Sequence, residues 1–348
     1  PEVGDDTRHW GPPYDPAGRA TYFEAVNRNK TSVAIDMTNA AGLAEAQELI
    51  KRADIVIHNF PPSNSDKFGL DYESVKNLKP DVIYCSITGF GSGAGAAMPG
   101  YDLLVQAMGG LMSMTGTDRN HPMKTGPGIG DVFAGMMLAF AIVAAVRHAE
   151  KTGHGQFVDI AMYDAMLSLC ERLVYLYDME GKVAEPAGNG HPLLAPFGLF
   201  PAADGWVSIG VVDDAFWREL ARIMERHDLL ADQRLSTKSG RRAHAQEVND
   251  AVSAWTRQYC KAELGALLGG KLPFGPVNDA QDIIHDPHVA ARGMIAEVPH
   301  ADAGRKGWRV AANPIHFSAT PALSPFTPPR LGEHNHLLAL LARAKPAT

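Results

Sequence analysis

Hydrophobic positions change period several times along the first half of the chain. SVAIDM (32–37) alternates with β-branched residues and reads as a strand. AAGLAEAQELIKRA (40–53) has helical spacing, and DIVIHNF (54–60) reads as a buried strand. A helix over 72–78 and a strand at DVIYCSITGF (81–90) follow. Strand, helix, strand, helix, strand predicts a parallel α/β sheet. Ligands of such sheets sit beyond the carboxyl ends of the strands, here Asn59-Phe60 and Thr88 to Gly91.

LLVQAMGGLMSMTG (103–116) predicts a helix closed by glycine. Then GPGIGD leads into VFAGMMLAFAIVAAVRHA (126–149 together), apolar on almost every face. That pattern predicts a helix buried all round, ending near TGHGQ at 152–156. FVDIAM (157–162) is the next strand, and 163–180 is helical. PAGNGHPLLAP (186–196) reads as a linker by its Pro and Gly content. Residues 200–295 read as a smaller α+β unit, with a strand at 204–211 and helices at 214–227 and 243–268. KLPFGPVND (271–279) is turn-rich, and a short helix and DPHVAARGM (286–294) follow it. GWRVAANPIHF (307–317) is a strand pair or extended run, 331–344 a closing helix, and 1–20 irregular.

With 348 residues, 45% hydrophobic, the chain is long enough for a large core and two domains. A net charge of −7 offers no footprint for nucleic acid. The apolar run at 132–146 is short for a bilayer span and meets Arg147 and His148, so a core helix and no membrane association are expected. PEVGDDTRHW, at the start, does not read as a signal peptide. Cys85, Cys170 and Cys260 are far apart with no CxxC, which suggests a reducing cytoplasm.

Gly126, Gly128 and Gly130 alternate ahead of one carboxylate, Asp131. Bare backbone there lets a ligand approach closely. An N-cap is the plainer reading of Asp131 and a nucleophilic carboxylate the sharper one, and the two are compatible. Amides and the positive helix end are expected to keep it ionised, and the same amides suit an oxyanion. GFGSGAG (89–95) invites a dinucleotide reading, but a loop with Pro99 follows where the fingerprint needs a helix. His334 and His336 lack metalloprotease spacing, and no metal site is expected.

The motifs in order are GDDTRHWGPP (4–13), YFEAVNRNKTSVAIDM (22–37), ADIVIHNFPP (53–62) and KFGLDYESVKNLKPDVIYCSITGFG (67–91). GYDLLVQAMGGLMSMTG (100–116), GIGD (128–131), KTGHGQFVDIAMYDAM (151–166), GNGHP (188–192), GPVND (275–279), DPHVAARGM (286–294) and LGEH (331–334) follow. Their order and spacing resemble the class III CoA-transferases, the CaiB/BaiF family, over essentially the whole chain. The resemblance implies a Rossmann-like large domain with a parallel sheet plus a smaller α+β domain, in an interlocked homodimer. The boundaries it suggests are 1–185 for the first part of the large domain, 186–203 for a linker, 204–295 for the small domain, and 296–348 for a linker and return. It implies a catalytic role for Asp131, pocket positions for Tyr22, Tyr101, Asp102, Gly128 and Gly130, and CoA-binding positions at Ile35, Asn59, Phe60 and Lys67. The implied substrates are an acyl-CoA and a small carboxylic acid, with no tightly bound cofactor.

Departures from the family pattern are also visible. Members usually place a strand, a helix and a strand ahead of the point where this sequence begins, so about 40 residues, one such unit, are expected to be lacking. Pro61 and Thr38 stand where members carry other residues, including basic ones. A racemase of the same fold has Gly-His-Asp where this chain has Gly100-Tyr101-Asp102. Tyr is a poor base near neutral pH, its ordinary pKa being about 10, which favours transfer over racemisation. A non-catalytic CoA-binding protein is the remaining alternative. Arg119, Lys124 and His191 lie in loops where a second carboxylate can meet them, although a solvated surface role suits each.

Overall fold

Three short apolar runs build the sheet of one compact unit. β1 (Ile55–His58), β2 (Ile83–Thr88) and β3 (Phe157–Ala161) are parallel and adjacent in that order. Ile57 pairs with Cys85 and Cys85 with Val158, so one row of side chains crosses all three strands on a single face. The computed structural model describes residues 2–15, 17–299, 307–323 and 325–343. The unit comprises Pro1–Asp102, Gly130–Ala165 and Gln281–Thr348, and a second unit comprises Leu103–Ile129 and Met166–Ala280.

Helices follow from local signals. α1 (Thr21–Asn27) and α3 (Pro62–Phe68) were not foreseen in the hydrophobic pattern. α2 (Ala40–Ile50) starts where Asn39 accepts from the Gly42 amide, and α4 (Tyr72–Leu78) where Asp71 accepts from Ser74. Tyr84 and Val56 on one sheet face pack with Ile50, Leu70, Val75 and Val82. The run at 103–116 is two helices, α5 (Asp102–Met108) and α6 (Leu111–Met114), because Gly110 has φ +92°, where a helix cannot continue. α7 (Ile129–Thr152) covers the other sheet face: Leu138, Ile142, Ala145 and Val146 pack with Ile83, Cys85, Ile87, Val158 and Ile160.

Three expectations fail in this unit. Residues 32–37 form no strand, because the termini of the chain compete for their backbone. The Ser32 amide donates to His334 Nδ1 at 3.1 Å, the His334 amide to the Ser32 carbonyl at 2.9 Å, and the Ala34 amide to Asn335 Oδ1 at 2.8 Å. Groups so occupied cannot join a ladder. β1 is only partly buried, since it is the sheet edge and Ile57 is exposed.

α7 is not buried all round either. Only 22% of its most apolar 18-residue window is buried, and Val132, Met136, Phe140 and Val143 form an uncovered stripe at helical spacing, with Phe140 75% exposed. With 24 residues and a mean hydropathy of 2.2 over that window, it is by length and composition able to cross a membrane, contrary to the sequence expectation.

β3 is followed by α8 (Met162–Leu169) and α9 (Glu171–Glu180), two helices parted at Cys170. In the second unit β4 (Phe197–Ala202), β5 (Gly205–Gly210) and β6 (Phe274–Pro276) form an antiparallel sheet in that order. β4 and β6 lie where irregular chain was expected. Around the sheet are α10 (Asp214–Ile223), α11 (His227–Ala231), α12 (Lys238–Ala243), α13 (Ala245–Thr256) and α14 (Lys261–Leu268). The single helix expected at 243–268 is thus two, with α14 restarted where Glu263 accepts from the Cys260 amide at 2.8 Å. Phe200, Val207, Ile209, Trp217, Leu220, Val248, Val252 and Leu264 fill this core. α15 (Ala280–His285) and α16 (Pro287–Ala291) lead to β7 (Ile295–Val298), which pairs antiparallel with β8 (Trp308–Ala311). The closing helix is α17 (His336–Arg343), five residues shorter at its start than expected because 331–335 form a turn; Ala344 lies outside the described residues.

Arg241 is fully buried within the second unit. Its guanidinium donates to the Ala195 and Leu235 carbonyls and to Asp214 Oδ1 at 2.8 Å, and lies over the Trp217 ring. Removing it strands those acceptors, so Arg241→Ala is expected to cost about 3 kcal/mol of unfolding free energy. Asp214→Ala is expected to cost a comparable amount, because it leaves the fully buried Arg241 guanidinium without its counter-charge. Urea unfolding followed by tryptophan fluorescence measures both; an Asp214→Ala variant as stable as wild type would contradict this account.

Candidate active site

The site is built from the loop after β2. A Cβ added at Gly89 would lie 2.4 Å from the Gly100 Cα, and one added at Gly100 only 2.3 Å from the Gly89 Cα. Only two glycines can cross that closely. The Tyr163 amide donates to the Gly89 carbonyl at 3.0 Å and ties the crossing to the end of β3. Tyr101 and Asp102 follow Gly100 directly, so they are held at the carboxyl edge of the sheet.

Asp102 then fixes the start of α7. The Gly130 amide donates to Asp102 Oδ1 at 2.7 Å. An unpaired amide at a helix start needs such an acceptor, and Asp102 supplies it from another element. Asp131 is the third residue of α7, inside the first turn, so its reading as N-cap is overturned. Its side chain is open to solvent and makes no hydrogen bond with a described residue. Partial desolvation, and secondarily the Asp102 carboxylate, raise its pKa above the usual carboxylate value. The expected amide cradle that keeps Asp131 charged is therefore absent among the described residues; the amide goes to Asp102.

The other expected positions spread over the first unit, except Gly128, which belongs to the second. Tyr101 is 64% exposed, and Tyr22 on α1 is exposed with its ring 5.6 Å from Trp10. Asn59 is exposed at the end of β1, and Phe60 is half-buried and stacked on His58 with centroids 5.5 Å apart. The Phe60 amide donates to His58 Nδ1 at 3.1 Å. Lys67 is exposed in the last turn of α3, and Ile35 is half-buried in the extended segment before α2. Gly128 is partly buried in the loop before α7, and a Cβ at Gly126 would meet nothing within 4 Å.

A polar row escaped the sequence reading. The register aligns His58, the last residue of β1, with Ser86 and Asp159 across the sheet on one face. Asp159 accepts from the Ser92 amide at 2.9 Å and from its hydroxyl, and so holds the loop after β2. His58 Nε2 is buried with no partner among the described residues, and burial lowers the His58 pKa while Asp159 acts against it. Three polar residues at matching places in otherwise apolar strands were the available signal.

The description "CoA-transferase family III" matches residues 1–335. The chain belongs to CoA-transferase family III. As a CoA-transferase it is 38% identical over 340 residues to a succinyl-CoA:mesaconate CoA-transferase of Haloarcula hispanica, covering 95% of this chain and 85% of that protein. It is also 38% identical over 342 residues to a succinate–glutarate CoA-transferase of Agrobacterium fabrum, covering 96% and 85%. A formyl-CoA:oxalate CoA-transferase of Streptomyces coelicolor is 31% identical over 334 residues, covering 90% and 80%. A solved CaiB/BaiF family protein from Brucella suis superposes with TM-score 0.87 at 36% identity, over 98% of this chain and 90% of that one.

Because the Asp131 pKa is raised in the fold, its charge weakens the fold above the ordinary carboxylate range and not below it. Asp131→Asn is therefore expected to leave stability unchanged or higher at neutral pH, with the difference from wild type vanishing in acid. Asp102→Ala, by contrast, is expected to cost about 1 kcal/mol. Chemical unfolding across pH reads both; a loss of stability in Asp131→Asn would restore the capping role.

Proposed function

We propose that this CoA-transferase moves CoA from an acyl-CoA donor to a carboxylic acid through a thioester on Asp131. The observation that carries this reading is one exposed, unbonded carboxylate, raised in pKa beside a second carboxylate whose own place is fixed by the α7 amide. A carboxylate with a raised pKa is a stronger nucleophile than an ordinary one. Acylation also removes its charge, which relieves the repulsion from Asp102.

The Asp131 oxygen attacks the thioester carbonyl, the C–S bond breaks, and CoA leaves as thiolate from an acyl-aspartyl anhydride. The thiolate attacks the Asp131 carbonyl carbon, forming the aspartyl-CoA thioester and releasing the donor acid as carboxylate. The acceptor carboxylate attacks that thioester, giving a second anhydride and thiolate. The thiolate attacks the acceptor carbonyl, which forms the new acyl-CoA and returns Asp131 as carboxylate. One negative charge is carried through every step. Ile35, the Asn59-Phe60 loop and Lys67 are the CoA-contacting positions in this reading, and Tyr22 and Tyr101 the acyl-pocket positions. The acids named for the relatives make short dicarboxylic acids the preferred class. The three cysteines are free, which suits a cytoplasmic setting.

We infer further that a second subunit covers α7 in a homodimer. One side of the helix already packs on the sheet, so lipid cannot surround it, and the opposite stripe of Val132, Met136, Phe140 and Val143 is apolar.

Acyl-CoA plus hydroxylamine is expected to leave a hydroxamate at Asp131, detected by mass spectrometry. Asp131→Ala is expected to lose transfer by at least about 1,000-fold while retaining CoA binding. An active Asp131→Ala, or solvent deuterium at the α-carbon of the acyl-CoA without exchange between acids, would reverse the reading. Phe140→Lys is expected to convert the dimer to monomer or aggregate in sedimentation; an unchanged dimer would show that the stripe is not the contact.

A further inference from the structure

We propose that a cleft of the second unit, walled by Arg119, Arg172, Lys182 and Arg242, binds a small polyanion. The cleft encloses about 860 Å³, and among its lining residues these four cations face a single carboxylate, Glu185. A ligand-sized hollow with so unbalanced a lining differs from an ordinary solvated face.

The cations are unequally engaged. Arg119 Nη1 lies 3.9 Å from Glu185 Oε1, a long and exposed pair worth little. Lys182 is paired with Glu180 at 2.5 Å. Arg242 donates its Nε to the Pro192 carbonyl, which satisfies a hydrogen bond but not its charge. Arg172, half-buried near the start of α9, makes no hydrogen bond or ion pair with any described residue. Arg172 and Arg242 are thus left without an ion-pair partner among the described residues.

His191 reports their field. It stands between the lining residues Gly190 and Pro192, and its pKa is lowered by burial and then by Arg172 and Arg242. Its Nδ1 accepts from the Leu193 amide at 3.1 Å, so the neutral ring carries its proton on Nε2 and adds a donor. Two planar guanidiniums suit the paired oxygens of carboxylate or phosphate. Two substrates of a CoA-transferase carry such groups: a dicarboxylic acid and CoA itself. This inference rests on the transfer reading only for that choice of ligands.

The test uses the full chain, titrated calorimetrically with glutarate and, separately, with CoA. Arg172→Gln is expected to weaken one of them by about tenfold or more. Loss confined to glutarate assigns the cleft to the diacid, and loss confined to CoA assigns it to the phosphates. Unchanged affinity for both overturns the proposal. Arg172→Lys, which keeps the charge but not the fork, guards against a folding defect: it is expected to fold as wild type and bind with intermediate affinity, and wild-type affinity in it would overturn the bidentate account. Asp131→Ala is expected to bind both ligands normally. If that variant stays active the thioester reading fails, while the cleft result stands.

Discussion

The candidate site depends on two backbones passing almost in contact at Gly89 and Gly100. A methyl group at either would sit inside the other's Cα. From that crossing the order is imposed step by step. The end of β2 holds Gly100, Gly100 places Asp102, Asp102 takes the Gly130 amide, and Asp131 is the next residue. No contact made by the Asp131 side chain itself is needed to position it. Such a carboxylate keeps its lone pairs unspent, and a nucleophile requires that. Rigid backbone carries the geometry, which leaves the carboxylate proposed to react uncommitted.

The electrostatics follow from the same arrangement. Asp102 is occupied by an amide and Asp131 is not, although both are Asp and both lie at helix starts. Desolvation, and then the neighbouring Asp102 carboxylate, raise the Asp131 pKa, and Asp131 has no donor among the described residues to offset them. The fold therefore stores a modest penalty in the group that, in the reading proposed above, loses its charge on acylation. Natural enzymes often accept such a local loss of stability where chemistry is done.

Much of this was legible in the sequence. Alternating strand and helix periods located the parallel sheet, and the motif series pointed to the family later matched over residues 1–335. The failures have identifiable causes. SVAIDM has strand composition, yet His334 and Asn335, three hundred residues away, occupy its amides. Local pattern carries no information about such partners. The capping role was assigned to the nearest Asp in sequence, whereas the acceptor came from 28 residues upstream. The run after Asp131 was judged buried because it is apolar all round, but apolarity does not say whether the cover comes from the same chain. The His58, Ser86 and Asp159 row depends on register, which three separate strands do not reveal until they are paired.

The bare stripe on α7 has a consequence for the molecule's working range. The helix backs the sheet on that face and also presents the first turn holding Asp131. Anything that seats on its outer side steadies both. In the proposed homodimer, stability is then coupled to mass action, and dilution loosens the sheet together with the first turn of α7.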